Sequence, residues 1–227
     1  MSRWHLHSLN ARNRLTRLLP ELRGAGNRAV ALAGALTEVP AFDLVVRAGG
    51  PGSAMTARAT APGVIDLILD PARWDEERFL RLLVRAMHQV MRLDGPGAGA
   101  APGQTGSLGE TLVGLGLAGH FVVAALGGEP EPAERLTPDH GLAGRALREW
   151  GKADFDAGLW FDGKGDLPAG AGQGIAFALV SRHLARNPEA TPGSLAREPA
   201  ESFRMTLRAM AVEDGLNPEA RHTERSR

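Results

Sequence analysis

Apolar residues first recur at helical spacing at Leu15, Leu18, Leu19 and Leu22. After Gly24-Ala25-Gly26 they resume at Val30, Leu32, Ala33 and Leu36, so residues 8–36 are predicted as one or two helices, closed by Pro40. The period then changes. Phe42–Arg47 alternates as a strand does, and Val64–Leu69 reads as a second strand between Ala-Pro-Gly and Asp70-Pro71. The stretch from Gly49 to Ala61 holds either a loop or a weak edge strand. Asp75-Glu76-Glu77 places acids in the first turn of a helix, where the macrodipole favours them, and an apolar stripe from Phe79 to Met91 carries that helix to about residue 93.

Residues 94–106 are so rich in Gly, Ala and Pro that a flexible loop is expected. Ser107 and Glu110 have capping-box spacing and open an almost wholly apolar helix that Gly127-Gly128 ends near Leu126. So apolar a helix must be buried on most sides. Further helices are predicted from Thr137-Pro138 to Trp150, from Gly172 to Arg186, and from Thr191-Pro192 and Pro199, the last ending near Gly215. The polar residues 216–227 read as a frayed tail. The expected class is α+β, with a small sheet in the first third and a mostly helical remainder.

Composition narrows the chemistry. With 26 basic and 26 acidic residues the formal charge is zero, so neither nucleic acid nor an anionic membrane is an expected partner. The absence of cysteine excludes disulfides, thiolate metal sites and cysteine nucleophiles. The first twenty residues hold Arg3, Arg12, Arg14 and Arg17 without an acid, and they lack the apolar core and cleavage site of a secretory signal. They are expected to form an amphipathic N-terminal helix, and the cytoplasm is the expected compartment. No Gly-x-Ser-x-Gly elbow is present, and the glycine-rich stretch lacks the Gly-Lys-Ser/Thr ending of a phosphate loop.

The most informative segment is Leu83-Val84-Arg85-Ala86-Met87-His88-Gln89-Val90-Met91-Arg92, followed by Leu93-Asp94-Gly95-Pro96-Gly97. It resembles the motif helix of a bacterial family of predicted zinc-dependent proteases, which carry H-E-x-x-H-A-M-R and then Gly-Pro-Gly at this place. Other segments follow in the family's order: Asp43-Leu44-Val45-Val46, Ile68-Leu69-Asp70-Pro71, Leu108-Gly109-Glu110-Thr111-Leu112-Val113, Gly116-Leu117-Ala118-Gly119-His120-Phe121, Trp160-Phe161, Gly165-Asp166-Leu167-Pro168 and the helix 171–180. The resemblance covers roughly residues 40–205. It implies a zincin-like domain over 40–215, with an N-terminal helical segment (1–39) packed on it and a charged tail (216–227).

In that family two histidines one turn apart grip zinc and the intervening glutamate acts on zinc-bound water. A later glutamate, in Glu-Gly-Leu-Ala, is the expected third ligand. Aligned on Met91-Arg92 and Gly95-Pro96-Gly97, these positions carry Arg85, Ala86, Gln89 and Leu115 here. Two tyrosines of a later family helix are replaced by Gln173 and Phe177. No zinc and no catalytic residue is therefore expected, and a buried Arg85 requires a carboxylate or solvent as partner. The resemblance, so altered, implies a catalytically inactive relative serving as a binding or regulatory module, its partner an unknown protein or peptide in the former cleft.

Some candidates remain open. His88, about 60° round the helix from Arg85, would meet His120 or Glu110 in a relocated metal site of an active hydrolase. The structural alternatives are a buried, hydrogen-bonded His88, a capping role for Glu110 and a surface His120. His5 and His7 form a His-x-His pair, a pattern that binds metal weakly, or else simply belong to an exposed terminus. Asp154/Asp156 and Asp162/Asp166 are paired acids, either catalytic or surface-loop residues.

Overall fold

A computed structural model describes residues 4–94 and 106–216. The chain opens on a strand, β1 (Trp4–Leu9), where an amphipathic helix was expected. Trp-His-Leu-His-Ser-Leu alternates with a period of two, and its register with the next strand, β2 (Phe42–Ala48), sets Trp4 beside Phe42 and Leu6 beside Leu44. Arg12, Arg14 and Arg17, three of the arginines that suggested a helix, instead lie in the connection after β1. There Arg12 and Asn13 adopt positive φ, and the Asn10 side chain accepts from Leu15 N at 2.7 Å and donates to Thr16 at 2.9 Å. Helix α1 (Leu19–Gly34) therefore begins well after residue 8.

The sheet is completed by β3 (Thr56–Ala61) and β4 (Val64–Leu69), in the order β1-β2-β4-β3. β1, β2 and β4 are parallel, and β3 is the antiparallel edge strand, so the weak segment before Ala61 is indeed a strand. Alternation divides the sheet's two faces. Phe42, Leu44, Val46, Ala59, Ile65, Leu67 and Leu69 point inward and join Leu22, Ala25 and Ala29 of α1 in one core. His5, His7, Leu9, Arg47 and Arg58 are exposed on the other face.

Helix α2 (Glu76–Leu93) packs its apolar stripe (Phe79, Leu83, Ala86, Met87, Val90) into that sheet core. Asp75 caps it by accepting from Arg78 N at 2.9 Å. Helix α3 (Leu108–Leu126) has the expected capping box between Ser107 and Glu110 and ends at Gly127, whose φ of 71° suits glycine. By length and composition α3 is the one helix among the described residues sufficient to cross a membrane, but more than half of it is buried inside this fold. It packs very closely on α6 (Ala171–Arg186): a Cβ on Gly116 would lie 2.2 Å from the Ala176 carbonyl oxygen.

The second core joins α3 and α6 to α4 (Leu142–Glu149), α5 (Ala157–Phe161) and α7 (Glu201–Leu216) around Trp160, Ile175 and Phe203. The expected helix from Thr137 starts only at Leu142, because Gly141 turns the chain with φ 80°. No helix follows Thr191-Pro192; that segment forms turns before α7. The architecture is α+β, with a four-stranded sheet early in the chain followed mainly by helices. The expected loop at 94–106 and the tail at 216–227 lie largely outside the described residues.

Candidate functional site

α2 delivers the altered motif to the junction of the sheet, α3 and the turn at 132–135. Arg85, on its half-buried face, meets Glu134 with Nη2 and Oε1 2.7 Å apart. The expected acidic partner is thus present. Glu134 is almost sealed, its side chain only 6% exposed, and its second oxygen accepts from Glu131 N at 3.0 Å. Glu131 in turn meets Arg81 at 3.0 Å and Arg78 at 3.4 Å. Burial pushes the Glu131 carboxyl up, but the Arg81 hydrogen bond and the charges of Arg78, Arg81 and Arg85 outweigh it and hold the group below its ordinary value.

α3 accommodates the Glu134 carboxylate through Gly119. A Cβ there would lie 2.4 Å from Glu134 Oε1, so only glycine leaves room for the ion pair beside the helix. Leu115, one turn earlier, is half-buried and packs against the helical core. Ala86 is fully buried in the sheet core. Gln89 accepts from the backbone N–H of Ala59 through Oε1 at 3.1 Å, which ties α2 to edge strand β3. A guanidinium already paired to a carboxylate, a methyl group, an engaged amide and an isobutyl group do not fit a zinc ion.

His88, Glu110 and His120 do not converge. His88 is fully buried, its ring 5.3 Å from that of Phe121. Its Nε2 lies 3.1 Å from the Pro192 carbonyl oxygen, which only accepts, so Nε2 carries the proton. Burial chiefly, with the charges of Arg92 and Arg85, lowers its pKa to about 4 against the opposing effect of that hydrogen bond. Nδ1 is buried without a partner. One turn on, Arg92 donates to the carbonyls of Ala196 and Glu198, each at 3.2 Å. Together these two side chains clamp the 192–198 segment onto α2, which explains why its carbonyls are not spent on a helix of their own.

His120 lies elsewhere. It stacks on Phe177 with ring centroids 3.8 Å apart, and its Nε2 donates to the Phe177 carbonyl at 3.1 Å. Burial lowers its pKa, partly countered by that bond and by the nearby Glu134 charge. Glu110 closes the capping box by accepting from Ser107 N at 2.8 Å. Among the described residues no group of three or more His, Asp and Glu side chains is arranged to hold a metal. Of the paired acids, Asp156 caps α5 and Asp166 meets Arg145 at 2.7 Å.

Glu134 is the residue that sequence reasoning missed, because nothing local marks an acid in a proline-led turn as the partner of a helix far earlier in the chain. His5 and His7 sit on the exposed sheet face, with His7 Nε2 2.9 Å from Asp43 Oδ1. A surface groove of about 760 Å³ lies at the outer ends of α2 and α3, lined by Leu80, Arg81, Leu126 and Glu131 among others, and does not include Arg85 or Gln89. No family model, curated protein or solved structure matches this chain.

Proposed function

We propose that this chain is a non-catalytic relative of the zinc-dependent protease family it resembles, retained as a binding or regulatory module. One observation carries the reading: the Arg85–Glu134 ion pair stands where the resemblance expects the first zinc-binding histidine. A permanent cation held by a buried carboxylate opposes a dication by direct repulsion and leaves no free ligand for it. Ala86 offers no base, and Gln89 is engaged by the edge strand. The ligand of such a module would lie where α2 meets β3, and an extended peptide pairing with that edge strand would take the Ala59 N–H from Gln89.

The test uses two readouts on the full chain. A His5→Ala/His7→Ala variant, incubated with excess zinc and desalted, is expected to retain essentially no metal and to leave unstructured peptide substrates uncut. Close to one equivalent of zinc in that variant, lost on His88→Ala, would overturn the reading in favour of a relocated site. For the ligand face, peptides selected by display are expected to shift the Ala59 amide resonance. Selected peptides that leave α2 and β3 unperturbed would remove the ligand from this surface.

A further inference from the structure

The groove at the amino-terminal end of α2, about 760 Å³ in volume, has a size that suits a short ligand. It includes neither Arg85 nor Gln89, so nothing about it rests on the altered motif. Its apolar lining comes from three helices: Leu32 of α1, Leu80 of α2, and Ala125 and Leu126 of α3. Leu32 is 39% exposed, an apolar side chain left in water at the groove wall.

The polar lining is unbalanced toward acceptors. Four carboxylates (Asp75, Glu77, Glu129 and Glu131) stand against two guanidiniums, Arg78 and Arg81. Both guanidiniums are already spent. They meet Glu131 at 3.4 and 3.0 Å, and Arg81 also donates to the Glu129 carbonyl at 2.7 Å. Asp75 caps α2, and Glu129 pairs with Arg135 outside the groove. Glu77 is exposed and has no ion-pair partner among the described residues.

The carboxyl-terminal end of α3 opens on the same groove. The last helical bond of α3 runs from Gly127 N to the Val123 carbonyl, so the carbonyls of Ala124, Ala125 and Leu126 have no partner within the helix. Its last turn carries no basic residue to offset the negative end of the dipole. Gly127 and Gly128 follow with φ of 71° and 76°, and a Cβ on either would meet open space, so the helix end stays bare.

We infer that this groove binds a short peptide segment in which a lysine or arginine stands beside an apolar side chain. The cation supplies what the groove lacks, a positive charge at Glu77 and at the end of α3. Its apolar neighbour covers Leu32, Leu80 and Leu126. Peptide N–H groups suit the free helix carbonyls, whereas an acidic segment would meet uncompensated negative charge.

The probes are acetylated, amidated pentapeptides Ala-Leu-Xaa-Leu-Ala with arginine, glutamine or glutamate at the centre, titrated into the full-length protein and followed by leucine-methyl and amide NMR. The arginine peptide is expected to saturate at millimolar concentration or below, shifting the Leu32, Leu80 and Leu126 methyls and leaving the Ala59 amide unmoved. It should bind about fivefold more tightly than the glutamine peptide at low salt, an advantage that shrinks as salt screens it. Glu77→Gln should reduce that advantage, and Leu32→Ala should weaken both peptides about threefold or more. Leu36→Ala, which alters an exposed leucine outside the groove, should change neither. Equal affinity for the glutamate peptide, or no shift at millimolar peptide, would overturn the site. A shift of the Ala59 amide without movement of the Leu32 and Leu126 methyls would overturn it too, placing the peptide where α2 meets β3.

Discussion

His88 makes the acid stability of this protein a direct measurement of its burial. Its pKa falls from the ordinary 6.5 to about 4 in the folded chain. Between those values the unfolded state binds a proton that the folded state refuses, so stability rises with pH through this window and is lost as pH falls. At about 1.4 kcal/mol per pH unit, the loss from pH 6.5 to 4 amounts to about 3 kcal/mol, a large share of an ordinary domain's stability. His88→Gln keeps an amide donor for the Pro192 carbonyl but cannot titrate. Urea denaturation of both proteins from pH 7 to 4.5 isolates the effect, because the carboxylates titrate in both and cancel. The wild-type curve is expected to fall more steeply by about 2–3 kcal/mol over that range. Parallel curves would refute the assignment of His88 as a neutral, buried group.

Removing Glu134 as Glu134→Ala leaves Arg85 largely buried and uncompensated, and should cost about 2–4 kcal/mol by chemical denaturation. The apolar pair Arg85→Met/Glu134→Leu should recover most of that loss; equal damage in both would mean that packing and not charge dominates. Gln89→Ala removes the cap on the Ala59 amide and should cost about 1 kcal/mol, read as faster hydrogen exchange confined to β3. Gly116→Ala drives a methyl against the Ala176 carbonyl, with 2.2 Å available. A loss of about 2 kcal/mol or more in thermal unfolding is expected, and an unchanged melting temperature would show that α3 and α6 can separate freely.

The elements that local chemistry defines were legible in the sequence. β4 lies where its apolar run and flanking turn residues place it, and α2 and α3 start at their acidic or hydroxyl caps. β1 escaped because the arginines after it mimic an amphipathic helix, while its strand state is settled by pairing with β2, more than thirty residues away. The turn at 191–197 escaped for a related reason: its carbonyls are claimed by His88 and Arg92 from a distant helix. The site divides in the same way. That Arg85 required a carboxylate follows from the cost of burying a charge; that Glu134 supplies it follows only from the assembled fold.

The position of α3 has a consequence for how the molecule can come apart. Phe121 and Val122 near its C-terminal end complete the sheet core, whereas Leu108, Leu112, Val113 and Leu117 complete the helical one. A single rigid rod is thus the common wall of both rooms. Neither half can loosen without exposing apolar surface in the other, so the two cores should melt in one cooperative transition despite being separate clusters. A fragment ending before Ser107 lacks that wall and should be unable to hold its sheet closed, however intact its four strands and first two helices.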